Sequence, residues 1–337
     1  MTQSSSLELS SLSALLGLLS DGQFHSGEEL GELLGVSRAA VWKQLQKLDL
    51  SGLELESVKG RGYRVPGGLD LLNENLIQSL LEPQIKSLIR QLDVRLSIDS
   101  TNAQALRQLP QLGAGYVCLA EQQTAGRGRR GRNWVSPFGR NIYLSISWLF
   151  EEGIAVLEGL SLAVGLVVVE TLEQLGFSGL ELKWPNDILW QSKKLGGVLL
   201  EINGDPSGQC QLVLGVGLNV YMPPAGAEEI TQAWTDLHTI SPVDFSEQKL
   251  GRNQLAASLI NCLLNLLQDY AGCGFAFYRQ QWEARNAHKD QWVELIFPGR
   301  SQVGRVLGVD DKGALRLETS EGEQVFHGGE ISLRAAG

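Results

Sequence analysis

The densest run of chemistry-bearing residues is Gly126-Arg127-Gly128-Arg129-Arg130-Gly131-Arg132, followed by Asn133-Trp134-Val135-Ser136-Pro137-Phe138-Gly139. It concentrates arginine in a chain of 337 residues whose formal net charge is −10. The interleaved glycines let the backbone approach a ligand without a Cβ clash. Arginine offers a planar fork of donors matched to carboxylate and phosphate oxygens. The run therefore reads as a local anion site, with a solvated basic loop or an RNA-binding Gly/Arg segment as the plainer alternative. It also satisfies G-x-G-x-x-G, but a dinucleotide loop opens a helix, and Pro137-Phe138-Gly139 blocks one. Asn141 to Trp148 then alternates apolar and polar side chains, a strand pattern. A kinase reading fails for want of the catalytic-loop and magnesium motifs.

Other reactive groupings are missing. There is no G-x-S-x-G elbow, no Cys/His pair and no zinc-spaced cluster, so no residue is expected to ligate a metal. The histidines at 25, 238, 288 and 327 are far apart and read as surface or core residues. Cys118, Cys210, Cys262 and Cys273 include no C-x-x-C pair, which suits reduced thiols in a cytosol.

Three further stretches complete the pattern: Lys183-Trp184-Pro185-Asn186-Asp187, Lys194-Leu195-Gly196-Gly197 and Gly215-Val216-Gly217-Leu218-Asn219. With Glu121-Gln122-Gln123-Thr124-Ala125 ahead of the arginine loop, this order and spacing resembles biotin–protein ligases. Together with the N-terminal segment below, it resembles the bifunctional kind that is also a biotin operon repressor. The resemblance spans nearly the whole chain.

That resemblance implies a reaction. The biotin carboxylate attacks the α-phosphate of ATP, pyrophosphate leaves, and biotinyl-AMP passes to a lysine of the biotin carboxyl carrier protein of acetyl-CoA carboxylase. Mg²⁺ is expected on the phosphates. Both reactants are anions, so the first demand is positive charge and positioning. By resemblance, Ser100, Thr101, Asn102 and Gln123 hold the ureido ring, although in isolation Asp99 to Asn102 read as helix caps. Arg127, Gly128 and Arg129 close over the carboxylate and phosphate, and Lys194 stabilises charge there. Lys183, Asn186 and Asn219 lie on the nucleotide side. Trp134 and Trp234 are walls for the tail and adenine, or plain core. Asp187 is a candidate base for the acceptor lysine, or an Asx contact in its turn. A sensor that binds biotin without ligating it is the rival reading; the retained Lys194 and complete arginine loop weigh against it.

The elements that must position these residues are legible from periodicity. Leucines at 9, 12, 15, 16 and 19 mark a helix. Ser26 and Glu29 make a capping box for a second, and Ser37 caps a third running to about Leu48. Leu53 to Glu56 and Tyr63 to Val65 flank the turn at Lys59-Gly60-Arg61-Gly62. This is a winged helix, with Ser37, Arg38, Lys43, Gln44, Lys47 and Arg61 placed to meet operator DNA. A small helical protein-interaction domain is the alternative. Pro66-Gly67-Gly68 reads as a linker, Leu71 to Leu92 as largely helical with an interruption at Pro83, Val94 to Ile98 as a strand and Ala103 as a helix start. Strands at Tyr116–Glu121, Asn141–Trp148, Leu180–Trp184, Ile188–Trp190, Leu195–Ile202 and Gln209–Val220 predict a mixed sheet. A hairpin turn with Asn203-Gly204 and Pro206-Ser207-Gly208 joins the last two. Ile154–Leu175, Leu250–Tyr270 and Phe275–Ala284 read as helices, and Pro223 to Trp234 as an irregular cover. Glu158, Glu170 and Glu173 bracket the longest apolar run too closely for a membrane span. Beyond Asn286 lie short strands.

The expected class is α+β in three domains. Residues 1–66 form the winged helix and 67–285 a mixed-sheet ligase domain, by resemblance like class II aminoacyl-tRNA synthetases. Residues 286–337 form a small β-barrel, SH3-like by resemblance. A cytoplasmic protein that pairs as a homodimer when loaded with biotinyl-AMP completes the expectation.

Overall fold

The computed structural model describes residues 2–50, 52–204, 208–223, 227–228, 230–240, 251–297, 299–328 and 332–335. Pro206-Ser207 of the expected hairpin turn, part of the expected cover and Leu250 lie outside these residues.

The chain begins with α1 (Thr2–Leu19), α2 (Gly27–Leu34) and α3 (Arg38–Leu50), then the hairpin of β1 (Glu56–Val58) and β2 (Gly62–Arg64). The capping box forms as expected: Ser26 accepts from Glu29 N, and the Glu29 carboxylate accepts from Ser26 N. Such a cap stabilises a helix by about 1 kcal/mol. The first wing strand lies three residues later than Leu53–Glu56, because Leu53 (2 % exposed) is drawn into the helical core. That core gathers Leu15, Leu16, Leu19, Leu30, Val41 and Leu45, and also Leu69 and Phe138 from beyond the wing.

Next come α4 (Glu74–Leu80), α5 (Pro83–Leu88), β3 (Gln91–Arg95), α6 (Thr101–Leu112), β4 (Tyr116–Ala120), β5 (Ile142–Phe150) and α7 (Leu160–Gln174). Then follow β6 (Leu180–Lys183), β7 (Asp187–Trp190), β8 (Lys193–Gly204), β9 (Cys210–Leu218), α8 (Leu237–Ile240) and α9 (Arg252–Ala284). The expected strand at 94–98 starts at Gln91, so the helical stretch ends at Leu88; pairing with β4 outweighs local pattern there. Ile98 makes only an isolated bridge to Gln123. The helix expected from Ala103 begins at Thr101. The two helices expected at 250–270 and 275–284 are one element in sequence order, broken at Gly274 where φ is +61°.

Seven strands form a mixed sheet of order β3-β4-β5-β9-β8-β7-β6, parallel only between β3 and β4. α7 and α9 cover one face and carry most of the core. Residues Ile154–Gln174 are long and apolar enough by composition to cross a membrane, but Leu160, Val164, Leu166 and Val168 are fully buried in this core. α6 covers the other face beside Ala105, Leu109, Tyr116 and Val213. Past its N-terminus that face is open.

Five further strands, β10 (Trp292–Phe297), β11 (Arg300–Val309), β12 (Leu315–Thr319), β13 (Gly322–Phe326) and β14 (Ser332–Ala335), make an antiparallel sheet of order β13-β12-β11-β10-β14. β14 was not anticipated. Trp184 Nε1 donates to Gly313 O at 3.0 Å, and Leu182 bridges Asn286, so this sheet is braced against β6.

Candidate active site

Strand register builds the floor. Tyr143 pairs with Gly217, Gly217 with Gly197, and Gly197 with Asp187, one row across four strands. Ser145, Gly215 and Leu199 form the next row. Two glycines make these rows usable. A Cβ on Gly215 would lie 2.1 Å from Asn102 Oδ1, and one on Gly217 2.6 Å from the Trp134 ring. Above the floor opens a cavity of about 940 Å³.

One end is neutral and rich in both donors and acceptors. Ser100, Thr101 and Asn102 are each under 5 % exposed at the start of α6. Ser100 Oγ caps the helix by accepting from Ala103 N, so the cap reading holds alongside the cavity-lining position. Gln123 Oε1 accepts from Thr101 N (2.9 Å) and Thr101 Oγ1 (3.1 Å). Ser145 Oγ donates to Asn102 Oδ1 and lies 2.8 Å from Thr101 Oγ1, and Asn102 Nδ2 donates to Glu201 at 2.8 Å. Arg107 grips Asp99 with two bonds and holds its carboxyl at about 2.

The other end is cationic. Lys194 Nζ lies 2.6 Å from Asp187 Oδ1 and 5.3 Å from the Trp134 ring centroid. Its backbone is held by Ala233 and Thr235, which places Trp234 beside it. Arg129 donates to Asn186 Oδ1 at 3.2 Å, and Asn186 Nδ2 donates to Val198 O. Burial pushes the Arg129 guanidinium and the Lys183 ammonium below their ordinary ranges. Both are desolvated cations for which an anion would be a favourable partner. Arg127 does not join them: it pairs with Glu201 at 3.0 Å, near Asn102. The loop is folded on itself by Gly128 N to Arg132 O and Trp134 N to Gly126 O. Asn219 lines the cavity and donates to Thr235 O. Trp134 Nε1 is buried with no protein partner, and Asp187 is the one carboxylate among the described lining residues.

The Biotin/lipoate A/B protein ligase family model matches residues 94–219, an HTH domain residues 12–64, and the Biotin protein ligase C terminal domain residues 290–334. The Bifunctional ligase/repressor BirA of Escherichia coli is 41 % identical over 322 residues, covering 96 % of this chain and 97 % of that one. The chain belongs to the biotin protein ligase family. A second relative, the Biotin--[acetyl-CoA-carboxylase] ligase of Paracoccus denitrificans, is 33 % identical over 242 residues, 69 % of this chain and 96 % of its own. Among solved structures, the biotin protein ligase from Aquifex aeolicus in complex with biotin and ATP superposes with a TM-score of 0.60 at 30 % identity, over 74 % of this chain and all of that one.

The helix-turn-helix of this biotin protein ligase places its cations differently. Lys43 and Lys47 are exposed on α3, while Val41, Leu45 and Leu48 are buried. Gln44, expected to be exposed, is half-buried because its Nε2 donates to Ser11 Oγ at 2.8 Å. Ser37 caps α3 through Ala40 N. Arg38 pairs with Glu28 at 2.7 Å, and Arg61 lies 4.1 Å over Phe24 at the wing.

Residues not singled out in the sequence also line or shape the cavity. Ser145 could have been found, since it sits on the polar face of an alternating strand. His288, Gln291 and Arg334 arrive from the C-terminal sheet and its approach, too far along the chain to be paired with Lys183 by any local pattern. Burial, then Lys183, pushes His288 down to about 4, so it is neutral near pH 7.

Proposed function

We propose that the chain joins biotin to AMP at the expense of ATP, and transfers biotin to a lysine of the biotin carboxyl carrier protein of acetyl-CoA carboxylase. The carrying observation is the polarity of the cavity: a neutral cradle of Ser100, Thr101, Asn102, Gln123 and Ser145 at one end, desolvated cations at the other. Biotin has the matching asymmetry, a ureido head and a carboxylate tail.

In the first step, Lys194, Arg129 and Lys183 neutralise the approaching carboxylate and α-phosphate, so two anions can meet. Trp134 and Trp234 wall the tail and adenine, with Asn186 and Asn219 on the nucleotide side. Arg127 and Gly128 close over the anhydride once Arg127 leaves Glu201. Mg²⁺ would sit on phosphate oxygens, since the described lining offers one carboxylate and no cage; bound there, it supplies charge neutralisation. In the second step the acceptor amine must lose a proton. When the substrate anion draws Lys194 away, Asp187 is released to accept it.

The N-terminal module acts as a repressor of biotin biosynthesis genes, with Arg38, Lys43, Lys47 and Arg61 meeting operator DNA and Ser37 and Gln44 holding α3. Biotinyl-AMP serves as co-repressor by favouring a homodimer that spans two half-sites. We read the domains as 1–66, 67–285 and 286–337, the second like class II aminoacyl-tRNA synthetases and the third an SH3-like barrel, in a cytoplasmic protein. Biotin-dependent ATP–pyrophosphate exchange, followed by transfer of labelled biotin to a carrier domain, tests the ligase. Operator affinity in the order biotin with ATP, then biotin, then apo tests the repressor, and equal affinity in all three states would rule the co-repressor out.

A further inference from the structure

One guanidinium ties together backbone that leads to both ends of the cavity without touching it. Arg252, the first residue of α9, is 4 % exposed and lines no part of the cavity. Its Nη1 donates to Glu121 Oε2 (2.8 Å) and Asp70 O (2.7 Å). Its Nε and Nη2 both donate to Asn141 O, at 3.2 and 2.7 Å. Glu121, 1 % exposed, accepts from Leu72 N on its other oxygen.

Two routes leave this knot. From Glu121 the chain runs two residues to Gln123, which holds Thr101, and Glu121 O accepts from Gly139 N, closing the far end of the arginine loop. From Asn141, Oδ1 accepts from Val220 N and Tyr221 N, directly after Asn219. Leu237 N then donates to Asn219 O, and Met222 N to Asp236, two residues beyond Trp234, whose neighbours Ala233 and Thr235 hold the backbone of Lys194 on β8. The first route serves the neutral cradle, the second the cationic end.

We propose that Arg252, with Glu121, is a positioning residue that sets the spacing of the two ends of the cavity. Stability alone is a weak reason for such a pair, because apolar replacements of buried ion pairs are often neutral or stabilising. What an apolar pair cannot do is hold Asn141 and Glu121 in one fixed geometry. The proposal rests on the ligase reading above.

The test uses the full chain. In the paired variant Glu121→Leu/Arg252→Met no buried charge is left unpaired. Pyrophosphate exchange should show KM for biotin and for ATP each raised by about tenfold or more. Hydrogen exchange should quicken together in segments 122–139 and 219–223. In Arg252→Lys one ammonium can keep Glu121 but not the fork to Asn141, so KM for ATP should rise more than KM for biotin. If either variant folds and keeps both KM values within about twofold of wild type, the proposal is overturned, whatever its melting temperature. If the wild-type chain itself shows no biotin-dependent exchange, the ligase reading fails instead. The hydrogen-exchange comparison then decides alone, and unchanged protection in both segments overturns the proposal.

Discussion

The cavity and the N-terminal module use positive charge in opposite ways. In the cavity, Lys183 and Arg129 are withdrawn from water and their charged forms are disfavoured by burial. On α3, Lys43 and Lys47 stand in solvent, and Arg38 is 70 % exposed while paired with Glu28. A buried cation binds one anion in one place, with desolvation already met by the fold. An exposed cation binds any phosphate and is screened by salt. The first arrangement suits a reaction, the second suits sliding over a charged polymer.

The contrast can be broken most sharply at Lys194. Lys194→Ala should fold but lose adenylate formation by about a hundredfold or more, the scale of a removed charge stabiliser. Exchange at the wild-type rate would show that the cavity does not depend on that charge.

A middle-sized effect is expected from His288. Its folded value of about 4 lies below the ordinary 6.5. Its neutral form is therefore favoured by folding, and that stability, full above pH 6.5, should be lost as pH falls toward 4. Urea midpoints at pH 7 and 4.5 should differ less in His288→Phe than in wild type. An equal difference would remove His288 from the account.

His25 should move the other way, and less. Burial lowers its value, but Glu29 and Asp21, at 3.1 and 3.0 Å, outweigh this and raise it. The gain is full below pH 6.5 and fades as pH rises through the raised value. His25→Gln should flatten that slope in the helix-turn-helix alone, read by proton-resolved titration of the module in the full chain.

Smallest is Lys43→Ala, which should lower the salt slope of operator binding by about one unit if it meets a phosphate, with exchange activity unchanged. An unchanged slope would take Lys43 off the DNA face.

Much of the candidate site was legible because glycines and cations cluster within short segments. Gly126 to Arg132, Lys183 to Asp187 and Lys194 to Gly197 each bring their own turn chemistry, and all three line one cavity. Local pattern failed where a distant partner decides. β3 begins at Gln91 because β4 is there to pair with, and Arg127 turns to Glu201, 74 residues on, instead of toward Lys194. The polar knot at Arg252 was invisible for the same reason: its partners come from residues 70, 121 and 141. Gln44 shows the limit of helical periodicity, since a 3.6-residue repeat says which side faces a core but not that Ser11 will cover it.

The segment after the wing was expected to be a linker, yet it is docked. Leu69 N donates to Ser20 O, Arg140 reaches Gly68 O at 3.2 Å, and Phe138 is 3 % exposed inside the N-terminal core. Phe138 stands six residues beyond the arginine loop, and its burial contributes about 2–3 kcal/mol to that core. Whatever the two modules do, their fates are linked in a genetic sense. A lesion such as Leu30→Ala, selected for its effect on the helices, should also loosen the exit of the loop, and suppressors of one phenotype should map to the other module. Cutting the gene between them would leave Leu69 and Phe138 as a hydrophobic scar on the surviving half.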